Sequence, residues 1–268
     1  MVVFCDTHAH LDFEPFDADR EAAIERASAI GLRFIINISI DLESSHKSLA
    51  LARQYPGFIF STIGIHPNYS QDIDETTFRE IGKLAGNQEV VAIGEIGLDY
   101  YRDYATPQQQ INALEVQLEL AKRLELPVVI HERASAQDLV AILVSWHKNL
   151  PNNSRLKLNP GVMHAFSADL TYVEPLLDCG FCFGIGGPVT YKNAHEKQEL
   201  VTLLPLEKML LETDCPFMPP QSHRGQRNEP SLIPLIAQKI AELRGLSLEE
   251  VGGQLTSNAR RVFQIAHS

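Results

Sequence analysis

The stretch "VVFCDTHAHLDF" at 2–13 decides the fold class, because an apolar run ends there in two histidines separated by one residue. The β-branched and apolar residues at 2–8 predict a buried strand. His8 and His10 lie at the end of this strand, and residues two apart on a strand project to the same face. We therefore expect both imidazoles to reach one common site.

Seven further runs of this kind follow, and helical patterns separate them. The runs lie at 34–40, 58–65, 90–95, 127–132, 161–166, 181–186 and 209–214. Such alternation is typical of βα units with parallel strands. Eight units in 268 residues predict an α/β fold in which the whole chain, 1–268, forms a single (β/α)8 barrel of the TIM type. A doubly wound sheet is the alternative architecture.

Three helices have clear boundary signals. These are Asp17, Asp19 and Gly31 around the first helix, Thr106 and Pro107 before a helix that runs to about Leu124, and Ser247 with Glu250 at the start of the last helix. Aspartate, serine and threonine are favoured N-caps, and proline is favoured at the first helical position. The glycine pair at 252–253 argues against the last helix, since each interior glycine costs about 1 kcal/mol.

Ionisable residues lie at the ends of several predicted strands. They are His8, His10, Glu95, His131, His164 and Asp214. Strands that are buried on both faces are usually apolar throughout, so this placement requires an explanation. In a barrel the carboxyl ends of the strands converge at the C-terminal mouth. The six side chains therefore predict a metal site at that mouth.

Two divalent ions fit this ligand set better than one, because four histidines and two carboxylates exceed what one ion takes while it keeps a water. Glu95 is the predicted bridge. The predicted division places His8, His10, Glu95 and Asp214 around one ion, and Glu95, His131 and His164 around the other. Mixed imidazole and carboxylate ligands admit Zn²⁺, Mn²⁺ or Mg²⁺.

Five of the six remaining histidines fall into two groups. His66, in "GIHP", is predicted to donate a hydrogen bond to a metal ligand or to contact a substrate phosphate. The others lie in helical or tail segments and are predicted to be surface residues; they are His46, His147, His195 and His267.

Several residues near the predicted mouth are candidates for substrate binding. They are Asp99, Tyr100, Arg133, Arg224 and Arg227. Arg224 and Arg227 lie in the segment at 215–230. Loops of this length are uncommon unless they have a function. The guanidinium groups of these two arginines suit phosphate, and the alternative is that they are solvated or tie the loop to carboxylates such as Glu229. Exposed aromatic residues, namely Tyr100, Tyr101 and Phe217, are candidates for stacking on bases.

Composition narrows the classes of function. A formal net charge of −11 argues against a broad basic surface for duplex nucleic acid. The sequence contains no run suited to crossing a membrane and no signal-peptide pattern, which predicts a cytoplasmic protein. The four cysteines (Cys5, Cys179, Cys182 and Cys215) are predicted to be reduced, and Cys179 and Cys182 are predicted to be buried. No membrane partner and no obligatory protein partner are predicted.

The motifs around these residues resemble those of the TatD family of metal-dependent deoxyribonucleases. They are "DTHAHLDF" at 6–13, "GIHP" at 64–67, "GEIGLDYY" at 94–101, "PVVIHER" at 127–133, "MHAFS" at 163–167, "LLETDCPFMPP" at 210–220 and "RGQRNEP" at 224–230. They occur in order from end to end. The departures are Cys215, where the family often has alanine, and Ala168, where glycine usually follows Ser167.

The resemblance implies a (β/α)8 fold, a divalent metal centre and hydrolysis of phosphodiesters, with 3′ to 5′ exonuclease action on DNA. Carried over by position, the metal ligands of the family fall on the same six residues at the strand ends. We expect Asp214 to orient the attacking water, with Glu95 as the second catalytic carboxylate. The expected substrate is DNA, entering as a single strand or a 3′ end.

Two other functions remain open at this point. The first is hydrolysis of a small phosphoester, a C–N bond or a lactone, as in the wider barrel superfamily. Many of those relatives bridge their metals with a carbamylated lysine, whereas the fourth strand here ends in Glu95. The second is a non-catalytic metal-containing barrel that binds a nucleotide or a protein at the same mouth. Loss of ligands would be its signature, and none of the six is lost.

Overall fold

The structure, a computed structural model, describes residues 2–71, 73–166 and 169–266. Eight parallel strands pair in chain order. They are β1 (Phe4–Ala9), β2 (Leu32–Asn37), β3 (Ile59–Ile63), β4 (Val90–Asp99), β5 (Val128–Arg133), β6 (Gly161–Met163), β7 (Cys182–Ile185) and β8 (Met209–Leu211). The helices are α1 (Arg20–Ala29), α2 (Leu42–Gln54), α3 (Glu75–Leu84), α4 (Pro107–Leu124), α5 (Ala136–Lys148), α6 (Val173–Asp178), α7 (His195–Leu203), α8 (Ile233–Arg244) and α9 (Leu248–Phe263).

The sheet closes between its first strand and the segment that follows its last. Ala9 forms a parallel bridge with Cys215. The N–H of Asp214 donates to the carbonyl of His8 at 2.8 Å, and the N–H of His10 donates to the carbonyl of Cys215 at 2.8 Å. The (β/α)8 barrel is therefore confirmed and the doubly wound alternative is wrong. Closure occurs at the residues that carry predicted metal ligands.

Five strands end earlier than the sequence pattern indicates, and two of these differences concern predicted ligands. β6 ends at Met163 and β8 ends at Leu211, so His164 and Asp214 lie just beyond them. The backbone takes positive φ angles at Ala165 (43°) and Asp214 (57°). The N–H groups of His164 and Asp214 still bond the neighbouring strands, at the carbonyls of Ile130 (2.9 Å) and His8 (2.8 Å). The chain therefore turns away from the sheet directly after His164 and at Asp214 itself.

The predicted helix boundaries agree with the structure. Thr106 caps α4 and Ser247 caps α9, and each forms a reciprocal capping box with the third helical residue. Gly252 does not interrupt α9. A Cβ at this position would lie 2.6 Å from the carbonyl oxygen of Val3, so glycine allows the helix to pack against the chain just before β1. The argument from the glycine pair against this helix is wrong.

The core consists of the strands and the inner faces of the helices. Large side chains such as Phe34, Phe181 and Phe183 are fully buried. All four cysteines are buried and none is in a disulfide. The sequence predicts reduced thiols for all four and burial for Cys179 and Cys182. Among the described residues, every helix is too short or too polar to cross a lipid bilayer.

Candidate metal centre at the mouth of the barrel

The two histidines of β1 converge on one point. Their Nε2 atoms lie 3.3 Å apart, and both side chains are buried. The Nδ1 atom of His10 lies 3.0 Å from the carbonyl oxygen of Ile38. Because a carbonyl only accepts, Nδ1 carries the proton and Nε2 keeps its lone pair for a ligand. The buried Nδ1 of His8 has no hydrogen-bond partner among the described residues.

Glu95 connects the two sides of the mouth. Its Oε2 lies 3.4 Å from Nε2 of His8, and its Oε1 lies 2.8 Å from Nδ1 of His131. Burial alone would raise the pKa of Glu95, but hydrogen bonds from His131 and His8 hold that pKa well below its ordinary value. The carboxylate is therefore anionic and faces histidines from two different strands.

Asp214 faces the other histidines of the cluster. Its Oδ1 lies 3.5 Å from Nε2 of His10, 3.7 Å from Nε2 of His8 and 3.8 Å from Nε2 of His164. The rings of His8 and His164 stack with centroids 3.5 Å apart. All six predicted ligands therefore lie together at the mouth, although they come from five different strands or the segments directly after them. Glu95 and His131 lie inside β4 and β5, since both strands extend further than the sequence pattern indicates.

The separations around Nε2 of His8 fit metal coordination, whereas Oε1 of Glu95 and Nδ1 of His131 lie at hydrogen-bond distance, 2.8 Å. Two ligand atoms of one tetrahedral zinc ion lie about 3.3 Å apart, since each is about 2.0 Å from the ion. The distances from Nε2 of His8 to His10 and to Glu95 are 3.3 and 3.4 Å. Both distances are longer than most hydrogen bonds in proteins and close to the separation expected for two ligands of one ion. The donor set therefore fits a divalent cation.

The close groupings differ from the predicted division between two ions. Groups of three ligand atoms within 4.8 Å of one another are His8, His164 and Asp214; His8, His10 and Glu95; and His66, Glu95 and His131. His164 thus lies with His8 and Asp214, because its ring stacks on His8. The neighbours of Glu95 on the β5 side are His131 and His66.

His66 faces the cluster as a neutral donor. Its Nδ1 accepts the N–H of Asn68 at 3.1 Å, so the proton of a neutral ring resides on Nε2, which lies 3.7 Å from Oε1 of Glu95. Burial lowers the pKa of His66 to about 3. A ring with its proton on Nε2 offers no lone pair there. This arrangement agrees with a contact to a carboxylate or a phosphate oxygen.

The two aspartates that flank the β1 histidines have structural partners. Asp6 accepts the hydroxyl of Thr213 at 2.5 Å and the N–H of His8 at 3.1 Å, which ties β1 to the end of β8. Burial raises the pKa of Asp6 to about 7. Asp12 accepts the side-chain amide of Asn37 at 2.8 Å. Through these bonds, Asp6 connects the segment that carries His8 and His10 to the residues after β8, and Asp12 connects it to the end of β2.

Three predicted substrate residues follow or lie within β4 and β5, and each has a different environment. Arg133 lines a cavity at the mouth, and its guanidinium lies 4.0 Å from the centroid of the exposed Tyr101 ring. Asp99 is buried, with Oδ2 3.3 Å from Nε2 of His131, so it orients that histidine. The hydroxyl of Tyr100 donates to Asp138 at 3.0 Å, and this contact points it away from the cluster.

The two arginines of the long loop are also engaged. The guanidinium of Arg224 lies 4.8 Å from the ring centroid of Tyr191. Arg227 donates to both carboxylate oxygens of Asp19, at 2.5 and 2.8 Å, and to the carbonyl of Pro15. Arg227 therefore ties the loop to the start of α1. These contacts match the alternative in which Arg227 ties the loop to carboxylates. A phosphate contact of Arg227 stays a prediction.

The predicted surface histidines lie outside the cluster. His46 and His195 are exposed, while His147 is half-buried and bonds the carbonyl of Lys157 at 3.1 Å. His267 lies outside the described residues.

Sequence reasoning missed one carboxylate of the site. Glu212 is buried, and its Oε1 lies 3.1 Å from Nδ1 of His164 and accepts the N–H of Ala165 at 2.8 Å. It precedes Asp214 by two residues, which is the same spacing that identified His8 and His10. The signal was therefore present in "ETD", but only its last residue was chosen.

A cavity of about 440 Å³ opens beside the cluster, within the size range of small-molecule sites. His131, His164, Glu212 and Asp214 form one side of it. The other walls are mainly apolar and come from the segments that follow β6, β7 and β8.

Comparisons with known proteins agree with this geometry. The family described as TatD related DNase matches residues 5–264. A Bacillus subtilis protein named uncharacterized metal-dependent hydrolase YabD is 37% identical over 260 residues, which cover 97% of this chain and 98% of the relative. The protein of Erwinia billingiae named 3′-5′ ssDNA/RNA exonuclease TatD is 35% identical over 265 residues, with 97% and 98% covered.

Solved structures show the same relationship. The crystal structure of YjjV, a TatD homolog from Escherichia coli K12, superposes with a TM-score of 0.89 at 34% identity and covers 98% of both chains. The match thus extends over the whole barrel and includes every segment that carries a residue of the cluster. The chain belongs to the TatD-related DNase family of hydrolases.

Proposed function

We propose that the protein is a metal-dependent phosphodiesterase that removes nucleotides from the 3′ end of single-stranded DNA. The observation that carries the proposal is the convergence of four histidines and two carboxylates beside a cavity of about 440 Å³. The direction of digestion rests on relatives that are named 3′-5′ ssDNA/RNA exonucleases at about 35% identity.

The donor set supports two divalent ions of Mg²⁺, Mn²⁺ or Zn²⁺, held by His8, His10, Glu95, His131, His164 and Asp214. Bound divalent ions lower the pKa of a coordinated water and neutralise the charge that builds on phosphodiester oxygens. Glu95 supplies a shared carboxylate, since its two oxygens face His8 on one side and His131 on the other.

Two carboxylate ligands are predicted, Glu95 and Asp214. Of these, Asp214 also lines the cavity. We assign it the role of orienting the attacking water toward a phosphodiester that enters from the cavity. His66, with its proton on Nε2, donates from the opposite side to a phosphate oxygen. Exposed Tyr101 and Phe217 flank the mouth and offer ring faces to unpaired bases.

One side of the cavity is closed by contacts between two loops, which supports the end of a DNA strand as the substrate. The hydroxyl of Tyr191 donates to the carbonyl of Pro219 at 3.0 Å, and the N–H of Gln221 donates to the hydroxyl of Thr190 at 2.7 Å. These bonds hold the long loop after β8 against the segment after β7. A continuous duplex would have to pass through this wall, whereas a terminal nucleotide does not.

The test is digestion of 3′-labelled and 5′-labelled single-stranded DNA by purified protein, with Mg²⁺, Mn²⁺ or Zn²⁺ added after chelation and Glu95→Ala run in parallel. Stepwise loss from the 3′ end by wild type alone supports the proposal and identifies the working ion. Absence of cleavage in protein that binds metal refutes it and favours a small phosphoester or C–N substrate.

Two further properties are part of the proposal. Free, buried cysteines support a reducing, cytoplasmic location, which fractionation of cells expressing the protein would test. The match over 5–264 supports one domain for the chain 1–268, and a single cooperative unfolding transition is the expected result.

A further inference from the structure

The cavity beside the cluster has a composition that suits a nucleoside. Its apolar walls include Phe166, Val189, Leu200 and Met218. Apolar walls favour a flat aromatic ring such as a nucleobase over a second phosphate group, because burial of a charge among apolar side chains is costly. Gly187 allows the two loops to approach closely, since a Cβ there would lie 2.2 Å from the carbonyl oxygen of Met218.

Among the described residues, one lysine lines this cavity, and it comes from α7. Lys197 lines it, and its Nζ donates to the carbonyl of Phe166 at 3.2 Å. The neighbouring Gln198 fixes the start of the helix, because its side-chain amide donates to the carbonyls of Val189 at 3.1 Å and Tyr191 at 3.0 Å. The backbone of α7 at Lys197 is therefore held in place beside the cavity by the contacts of Gln198.

Toward the described part of the chain, the ammonium group of Lys197 uses one of its donors. It carries three N–H donors, and within 2–71, 73–166 and 169–266 the Phe166 carbonyl is the only acceptor in hydrogen-bond range. Burial lowers the pKa of Lys197, whereas Glu212, Glu196 and Glu132 act in the opposite direction. A half-buried cation with unused donors at a cavity wall is stabilised when a ligand supplies an oxygen acceptor.

We propose that this cavity binds the terminal nucleoside of the DNA strand and that Lys197 determines its specificity by donating to a keto oxygen of the nucleobase. The inference rests on the proposed nuclease function and names the part of the substrate that the cavity takes. The phosphodiester then lies toward Asp214 and His164, which share the cavity wall with Lys197. The apolar walls cover the faces of the base.

Two substrates and three proteins test this assignment. The substrates are an oligonucleotide that ends in thymidine and the same strand ending in an abasic deoxyribose. The proteins are wild type, Lys197→Met, which keeps an unbranched side chain without the charge, and Lys192→Met as the matched control, since Lys192 is exposed and does not line the cavity. Circular dichroism verifies that each variant is folded.

For Lys197→Met we expect kcat/KM on the thymidine end to fall about tenfold, the cost of one charged hydrogen bond, with most of the change in KM. On the abasic end the same substitution is expected to change kcat/KM less than about twofold, because the partner of the lysine is missing. Lys192→Met is expected to match wild type on both substrates. Equal losses on the two ends for Lys197→Met would overturn the proposal.

Binding of thymidine to chelator-treated protein, followed by ligand-observed NMR, separates this assignment from the nuclease function. Thymidine binding that Lys197→Met weakens supports the pocket assignment even if no DNA is cleaved, in which case only the nuclease function fails. Cleavage of DNA together with thymidine binding that Lys197→Met leaves unchanged overturns the pocket assignment alone. Absence of thymidine binding to the wild-type protein also overturns it.

Discussion

Oε1 of Glu212 lies 3.1 Å from Nδ1 of His164, on the side of the ring away from the cluster. Nε2 of the same ring lies 3.8 Å from Asp214. A carboxylate behind a metal-binding histidine fixes the orientation of its ring and raises the basicity of its free nitrogen. We therefore regard Glu212 as a positioning residue for His164.

Replacement of Glu212 by glutamine keeps the shape of the side chain and removes its charge. We expect metal affinity or kcat/KM to fall about 10- to 100-fold, as for other residues that support a metal ligand. Elemental analysis after dialysis against graded metal concentrations measures the first quantity, and single-strand digestion measures the second. Glu199→Gln, at an exposed site on α7, is the control. Wild-type values for both quantities in Glu212→Gln would contradict the assignment.

Gly184 on β7 makes room for the same carboxylate. A Cβ at this position would lie 2.0 Å from Oε2 of Glu212. Gly184→Ala is therefore expected to displace the carboxylate, to lower the free energy of unfolding by about 1–3 kcal/mol and to reduce activity. Denaturant titration and digestion measure the two effects.

Gly253→Ala is the control for this substitution, because no atom lies within 4 Å of the added Cβ and the helix gains up to about 1 kcal/mol. If Gly184→Ala were as stable and active as wild type, the close packing of Gly184 on Glu212 would be refuted.

Glu95→Ala tests the shared ligand. Its two carboxylate oxygens face His8 and His131, so its removal is expected to abolish activity and release most of the bound metal. The barrel core lies below the mouth, and the fold is expected to remain intact by circular dichroism. Glu80→Ala, at an exposed position on α3, controls for general effects of removing a carboxylate. Unchanged metal content in Glu95→Ala would exclude the bridging role.

Arg133 and Arg227 are expected to respond differently to replacement by glutamine. Arg133 lines the cavity, so its loss is expected to raise KM several-fold and to reduce the salt dependence of binding by about one phosphate contact. Arg227 pairs with Asp19, and its loss is expected to lower stability by about 1 kcal/mol or less with KM unchanged. Titration of KM against ionic strength, with thermal unfolding of both variants, distinguishes them. A larger KM effect for Arg227→Gln would restore the phosphate role to that residue.

Local sequence patterns were sufficient to locate the strands and to select the six candidate ligands that the fold brings together. Apolar β-branched runs identified all eight strands, since strands buried on both faces contain few polar residues. Polar residues at the ends of those runs then stood out, and His8 and His10 could be placed on one face from the strand period alone. Capping signals at Thr106 and Ser247 located helix starts for the same local reason.

Contacts between distant segments were beyond the reach of this reasoning. The pairing of Arg227 with Asp19 joins residues 208 positions apart, and Lys197 reaches the cavity only because α7 packs beside the loops after β6 and β7. Neither helix period nor strand period carries information on such pairs.

The sequence by itself determined the barrel class and the six residues at the strand ends, because both follow from burial and periodicity along short stretches of chain. Tertiary structure alone decided how those residues group around Glu95 and Asp214, and it also showed which neighbouring side chains face the cavity. Positive φ angles at Ala165 and Asp214 turn the chain away from the sheet. The conformation at Asp214 accompanies the closure between β1 and the segment after β8, a long-range contact that no local pattern encodes.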